Sequence, residues 1–164
     1  MAAVEATLDD GAVMDFVSSG YVLLAGVIDD SFNQRCNDLD RGNIDAFIAS
    51  DAFTDTVLLH PQVAGVARSL LGADFLVPAG GHHHVFEKPH LGQAWHSDGL
   101  SGSGYDVTEL QCYYYPHAVG VEDGPTMILP GSHCRAVDRE AIAHYGDIMG
   151  QVSLTVPAGT VAMT

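Results

Sequence analysis

Positive charge is scarce in this chain. Six Lys and Arg stand against 21 Asp and Glu, for a formal net charge of -15. The six form no cluster, so the sequence lacks the basic patch that a phosphate-backbone partner requires, and nucleic acid is excluded as a ligand. Cysteine is sparse too. Cys36, Cys112 and Cys134 are odd in number and show no C-x-x-C spacing. This pattern fits free thiols in a reducing compartment better than a secreted disulfide framework. No long hydrophobic run occurs either. The apolar stretch from Tyr21 to Ile28 is far too short to span a bilayer, and the acidic N-terminus has no positive leader region. Internal repeats and low-complexity tracts are also missing. The expectation is one cytoplasmic domain of 164 residues, with no membrane partner.

What is present divides into two textures. Residues 1–72 read as a helical front end. "MDFVSSGYVLLAGVIDDSF" gives a helix end, a Ser-Ser-Gly turn and a buried strand, after which Asp30 or Ser31 caps a helix with Phe32, Cys36 and Leu39 on one face. "HPQVAGVARSLLG" gives a second amphipathic helix, with Pro61 near its start, Val63, Val66 and Leu70 on one face, and Gly72 closing it. Residues 73–164 read as strands: "DFLVPA", "HHVFEK", "ELQCYYYPHAV", "PTMILPG" and "QVSLTVPAGTVAMT" are short, apolar or aromatic, and divided by Gly, Pro and Asp turns. The fold class is α+β, with helices backing one sheet of an antiparallel sandwich or barrel.

Histidine is concentrated. Five of the nine fall between positions 81 and 96. In "HHH", alternation along a strand puts His82 and His84 on one side and His83 on the other, a weak metal pair or a polar strand edge. "WHSDG" carries more chemistry. His96 and Asp98, at i and i+2, project from one face of a strand, and an imidazole with a carboxylate makes two corners of the facial triad that holds non-haem Fe(II). Alone, a His-x-Asp pair is a short motif of little weight.

Its context adds weight. The entry pattern "DFVSSGYVLLAGVID", the segment "WHSDG", and "GPTMILPGSH" after the strand "LQCYYY" together resemble the phytanoyl-CoA dioxygenase family, a branch of the Fe(II)/2-oxoglutarate-dependent oxygenases. The three segments follow the family's order and approximate spacing over nearly the whole chain.

The resemblance implies a double-stranded β-helix, a jelly roll with helices on its outer face. It implies that His96 and Asp98 are iron ligands at the end of the second core strand. It places Tyr113 beside the cosubstrate 2-oxoglutarate, puts His84 on a strand lining the same pocket, and makes His133 the former of a turn after the fourth strand. "GLSGSGYD" suits a mobile cover, since Gly and Ser allow closure at low steric cost. In the family the third ligand is a histidine shortly after a segment resembling "VPAGTVAMT". An arginine pairing with the distal carboxylate of 2-oxoglutarate follows about one strand later. The sequence stops before both, and neither Lys88 nor Arg135 matches that arginine. "GTVAMT" reads as the opening of a buried strand with no neighbour to follow, so the chain is expected to be cut short, missing its last core strands and inactive alone. Two other readings compete with a small-molecule oxygenase. One is a silent β-helix binding module, and the other a cupin-like metal protein using His82 or His84 beside His96.

Overall fold

The computed structural model describes residues 4–85, 89–98, 106–134 and 139–164. Helix α1 spans Asp10–Ser19; the Asp9 side chain accepts from the Ala12 amide at its start, and Gly20 ends it at φ 81°. Strand β1 (Val22–Leu24) leads to α2 (Asp30–Asn37), whose N-cap is Asp29 rather than the expected Asp30 or Ser31. That helix stops before Leu39, so its buried anchors are Phe32 and Asn33. Short helices α3 (Ile44–Ile48) and α4 (Asp51–Phe53) run into a π turn at Thr54–Leu58. Helix α5 is Pro61–Leu71, where the periodicity places it, with Val63 and Val66 buried.

The strands that follow are β2 (Cys112–Tyr115), β3 (Met127–Ile128), β4 (Val152–Ser153) and β5 (Thr160–Met163), with α6 (Arg139–Ile142) between β3 and β4. They form two antiparallel sheets, ordered β1-β5-β2 and β3-β4. The expectation that "GTVAMT" lacks neighbours is corrected: β5 is the central strand, with Met163 opposite both Val22 and Cys112. Its four residues are all buried, because both edges are covered by ladders and both faces by side chains. The front end is therefore not purely helical, since it supplies one edge strand to the sheet.

Alternation along β5 and β2 divides the core. Val161 and Met163, with Cys112 and Tyr114, face the helices and pack with Phe32, Val57, Val63 and Val66. Ala162, with Tyr113 and Tyr115, faces the other way, against Ile128 and Val152 of the second sheet and Leu154 and Val156 just after it. Each fully buried aliphatic side chain contributes about 1.5–3 kcal/mol. The helices thus back one face of the larger sheet, and the second sheet covers the opposite face. Burial raises the thiol pKa of Cys112 to about 11, which suits a packing role.

Two expected strands find no ladder among the described residues. Residues 74–79 of "DFLVPA" and 83–85 of "HHVFEK" have no ladder partner, and Leu76 is 91% exposed. Apolar alternation supplies a face but not a neighbour, and Pro78 removes a donor from the first stretch. Residues 86–88 of the second lie outside the described residues.

The "SSGY" and "PGSH" segments meet. Gly131 N–H donates to Ser19 O (3.0 Å), and His133 Nε2 donates to Val17 O (3.1 Å), so the turn at Ser132–Cys134 satisfies the last carbonyls of α1. A Cβ on Gly20 would overlap the His133 ring. His133 is engaged with a helix end, which accounts for the glycine.

Candidate metal centre

The site is built on residues 94–98 and β2. His96 Nδ1 lies 2.8 Å from Ala94 O. A carbonyl oxygen can only accept, so the hydrogen sits on Nδ1 and the neutral ring presents the Nε2 lone pair. That Nε2 stands 3.3 Å from Asp98 Oδ1. A lone pair facing a carboxylate oxygen is repulsive unless a proton or a cation lies between them. Two donors about 2.1 Å from one ion and at right angles to each other stand about 3.0 Å apart, close to the separation found here. The set of one imidazole nitrogen and one carboxylate oxygen suits a divalent first-row ion such as Fe(II) or Mn(II). The side chains are 50% and 44% exposed, which leaves room for further ligands.

The pair meets as i, i+2 spacing suggests, but not on a strand. No ladder is formed by residues 91–98 among the described residues. The geometry rests on the bend at Trp95 and the contact of His96 with the Ala94 carbonyl rather than on the expected end of a second core strand.

Tyr113 approaches from the larger sheet. Its β5 partner is Ala162, whose small side chain leaves the phenol room to reach across the inter-sheet face. The hydroxyl lies 3.5 Å from Asp98 Oδ2. Burial first, then the negative charge of Asp98, raises its pKa. The family resemblance puts Tyr113 near the centre, but the sequence carries no signal for the Asp98 carboxylate as its partner. The Ala94 carbonyl was equally invisible, since any residue supplies one.

His84 lies in an exposed segment, with its ring 6.4 Å from that of His82 and perpendicular to it. An apolar cleft between α5 and the sheet is lined by Leu58, Val63, Leu71, Phe75, Leu110 and Met163, among others, and neither Tyr113 nor His84 takes part. Among the described residues no group of three or more His, Cys, Asp and Glu could hold a metal. The suggested cover lies outside the described residues except for Asp106, and Lys88 and Arg135 lie outside them as well. No helix among the described residues is long and apolar enough to cross a membrane.

No curated protein and no solved structure matches the chain. A family model does: that of phytanoyl-CoA dioxygenase (PhyH) matches residues 18–163. The match takes in the entry strand, the His-x-Asp segment, the Pro-Gly-Ser-His turn and the central strand β5. The chain belongs to the phytanoyl-CoA dioxygenase family.

Proposed function

We propose that this chain is a non-haem Fe(II)/2-oxoglutarate-dependent oxygenase that hydroxylates a small organic substrate in a reducing, cytoplasmic setting. The observation that carries the reading is the His96 Nε2 and Asp98 Oδ1 pair, convergent at 3.3 Å with the imidazole tautomer set by Ala94. Family membership supports the class of reaction. The two facing antiparallel sheets are read as part of a double-stranded β-helix, with the helical layer outside.

In this reading His96 and Asp98 hold Fe(II) on one side, and the bound ion with 2-oxoglutarate and O₂ supplies the oxidant for C–H hydroxylation, releasing succinate and CO₂. The chain's own part is positional. His96 keeps its hydrogen on Nδ1, against Ala94 O, and so directs Nε2 toward the ion. Asp98 contributes charge that favours a divalent ion over a proton. Tyr113 and the apolar face behind it exclude water from one side of the centre. By the family resemblance His84 is assigned to the outer pocket that takes the cosubstrate. By the family pattern the third ligand and the anchoring arginine belong to residues after the β5 segment.

Succinate formation tests this. Residues 1–164 with Fe(II), ascorbate, O₂ and 2-oxoglutarate are expected to form no succinate above a metal-free control. The same chain joined to a C-terminal extension carrying a histidine and an arginine at the family positions is expected to form it metal-dependently. A folded, Fe(II)-binding extended chain that stays silent would favour the binding-module reading. Robust turnover by residues 1–164 alone would put the third ligand within them.

A further inference from the structure

The Asp98 carboxylate has two oxygens, and the structure treats them differently. Oδ1 faces His96 Nε2 at 3.3 Å, while Oδ2 faces the Tyr113 hydroxyl at 3.5 Å. Asp98 is half-exposed and outside regular secondary structure, so its own backbone does little to hold the carboxylate plane. Tyr113 is the opposite case. It is half-buried on β2, locked opposite Ala162 in the ladder to the central strand, and flanked on its face by Tyr115, whose hydroxyl is tied to Thr126 Oγ1 at 3.2 Å. A rigid donor therefore meets a loosely held acceptor. We infer that Tyr113 is a positioning residue of the metal centre: its hydroxyl holds Asp98 Oδ2 and so leaves Oδ1 as the oxygen presented beside His96 Nε2.

This inference rests on the metal-centre reading above and deepens it. It gives the tyrosine the carboxylate as its partner, where the sequence reading gave it the cosubstrate. At 3.5 Å the contact is longer than an ordinary O–H···O bond, and the attraction between the phenol O–H dipole and the carboxylate charge sustains it. Partners that orient a ligand in this way typically change metal affinity by about 10–100-fold when removed.

The test is Mn(II) binding to the 164-residue chain, followed by the loss of the free-ion EPR signal. Tyr113→Phe should weaken binding about 10-fold, and 4-aminophenylalanine at position 113, which restores a donor at the ring tip, should recover most of it. Tyr115→Phe, which loses only its bond to Thr126, should bind as the parent does. Far-UV circular dichroism on each variant confirms that β2 is intact. If Tyr113→Phe binds Mn(II) as tightly as the parent while Asp98→Ala and His96→Ala do not bind, the positioning role is wrong and the metal centre stands. Equal weakening by Phe and 4-aminophenylalanine would make Tyr113 a packing residue and overturn the role as well. If the parent chain shows no Mn(II) binding that depends on Asp98, the centre and the positioning role fall together.

Discussion

Replacing Asp98 with Ala is expected to reduce Mn(II) or Fe(II) binding to the background set by the acidic surface. The carboxylate supplies one of two convergent donors and the only formal charge between them. Loss of a partner that merely orients a ligand costs about 10–100-fold in affinity, so loss of the ligand itself should cost more than about 100-fold. A chain of net charge -15 also collects divalent ions nonspecifically. That fraction is screened by salt, whereas a coordinated ion is screened much less. Calorimetric titration at about 0.3 M salt, where the Debye length is under about 8 Å, separates the two. The parent should retain one saturable site and Asp98→Ala none. His83→Ala should titrate like the parent, and sensitivity to the histidine triplet with indifference to Asp98 would favour the cupin-like arrangement.

The largest effect on stability is expected at Gly159, just before the central strand. Its backbone has φ +74°, and an added Cβ would run into the Ile28 carbonyl oxygen and come within 2.9 Å of Asn33 Nδ2. The backbone there is doubly bound: Ile28 N–H donates to Gly159 O (3.1 Å), and Gly159 N–H donates to Tyr115 O (2.8 Å). A left-handed conformation costs a non-glycine residue about 1–2 kcal/mol, and forced overpacking adds about 1–3 kcal/mol. Gly159→Ala should therefore lose about 3 kcal/mol in urea unfolding. Gly124 is the control. It has φ +70° with nothing within 4 Å of a built Cβ, so Gly124→Ala should lose only the conformational part, about 1–2 kcal/mol. Equal losses would mean that the close approach to Ile28 and Asn33 yields without cost.

The consequence reaches the site. Asn33 is 3% exposed and fully engaged; its Nδ2 donates to Ile28 O (3.1 Å) and its Oδ1 accepts from the Tyr114 hydroxyl (2.6 Å). Tyr114 is the β2 neighbour of Tyr113, so a shift of Asn33 propagates into the strand that carries the Asp98 partner. Removing one member of such a buried network leaves the others unsatisfied, at about 1–3 kcal/mol each.

Helix α5 was legible because Pro61, the Val63–Val66–Leu70 spacing and Gly72 agree on its start, buried face and end. The convergence of His96 and Asp98 was legible from i, i+2 spacing, although an irregular segment rather than a strand delivers it. Residues 74–79 misled, because alternation in a sequence says nothing about whether a partner strand will be adjacent. The docking of His133 on the end of α1 joins residues 116 apart, and local periodicity is blind to such a contact. For the same reason the central place of β5 could not be read, since its neighbours are β1 near the N-terminus and β2 in the second half of the chain, both distant in sequence.

The central claim is that His96, with Asp98, holds the metal. Pulsed EPR on the Mn(II)-loaded chain, uniformly labelled with ¹⁵N-histidine, tests it most directly. The account predicts hyperfine coupling to a single histidine nitrogen, abolished in His96→Ala and unchanged in His82→Ala and His84→Ala. Coupling that survives His96→Ala, or that vanishes with His82 or His84 instead, would contradict it.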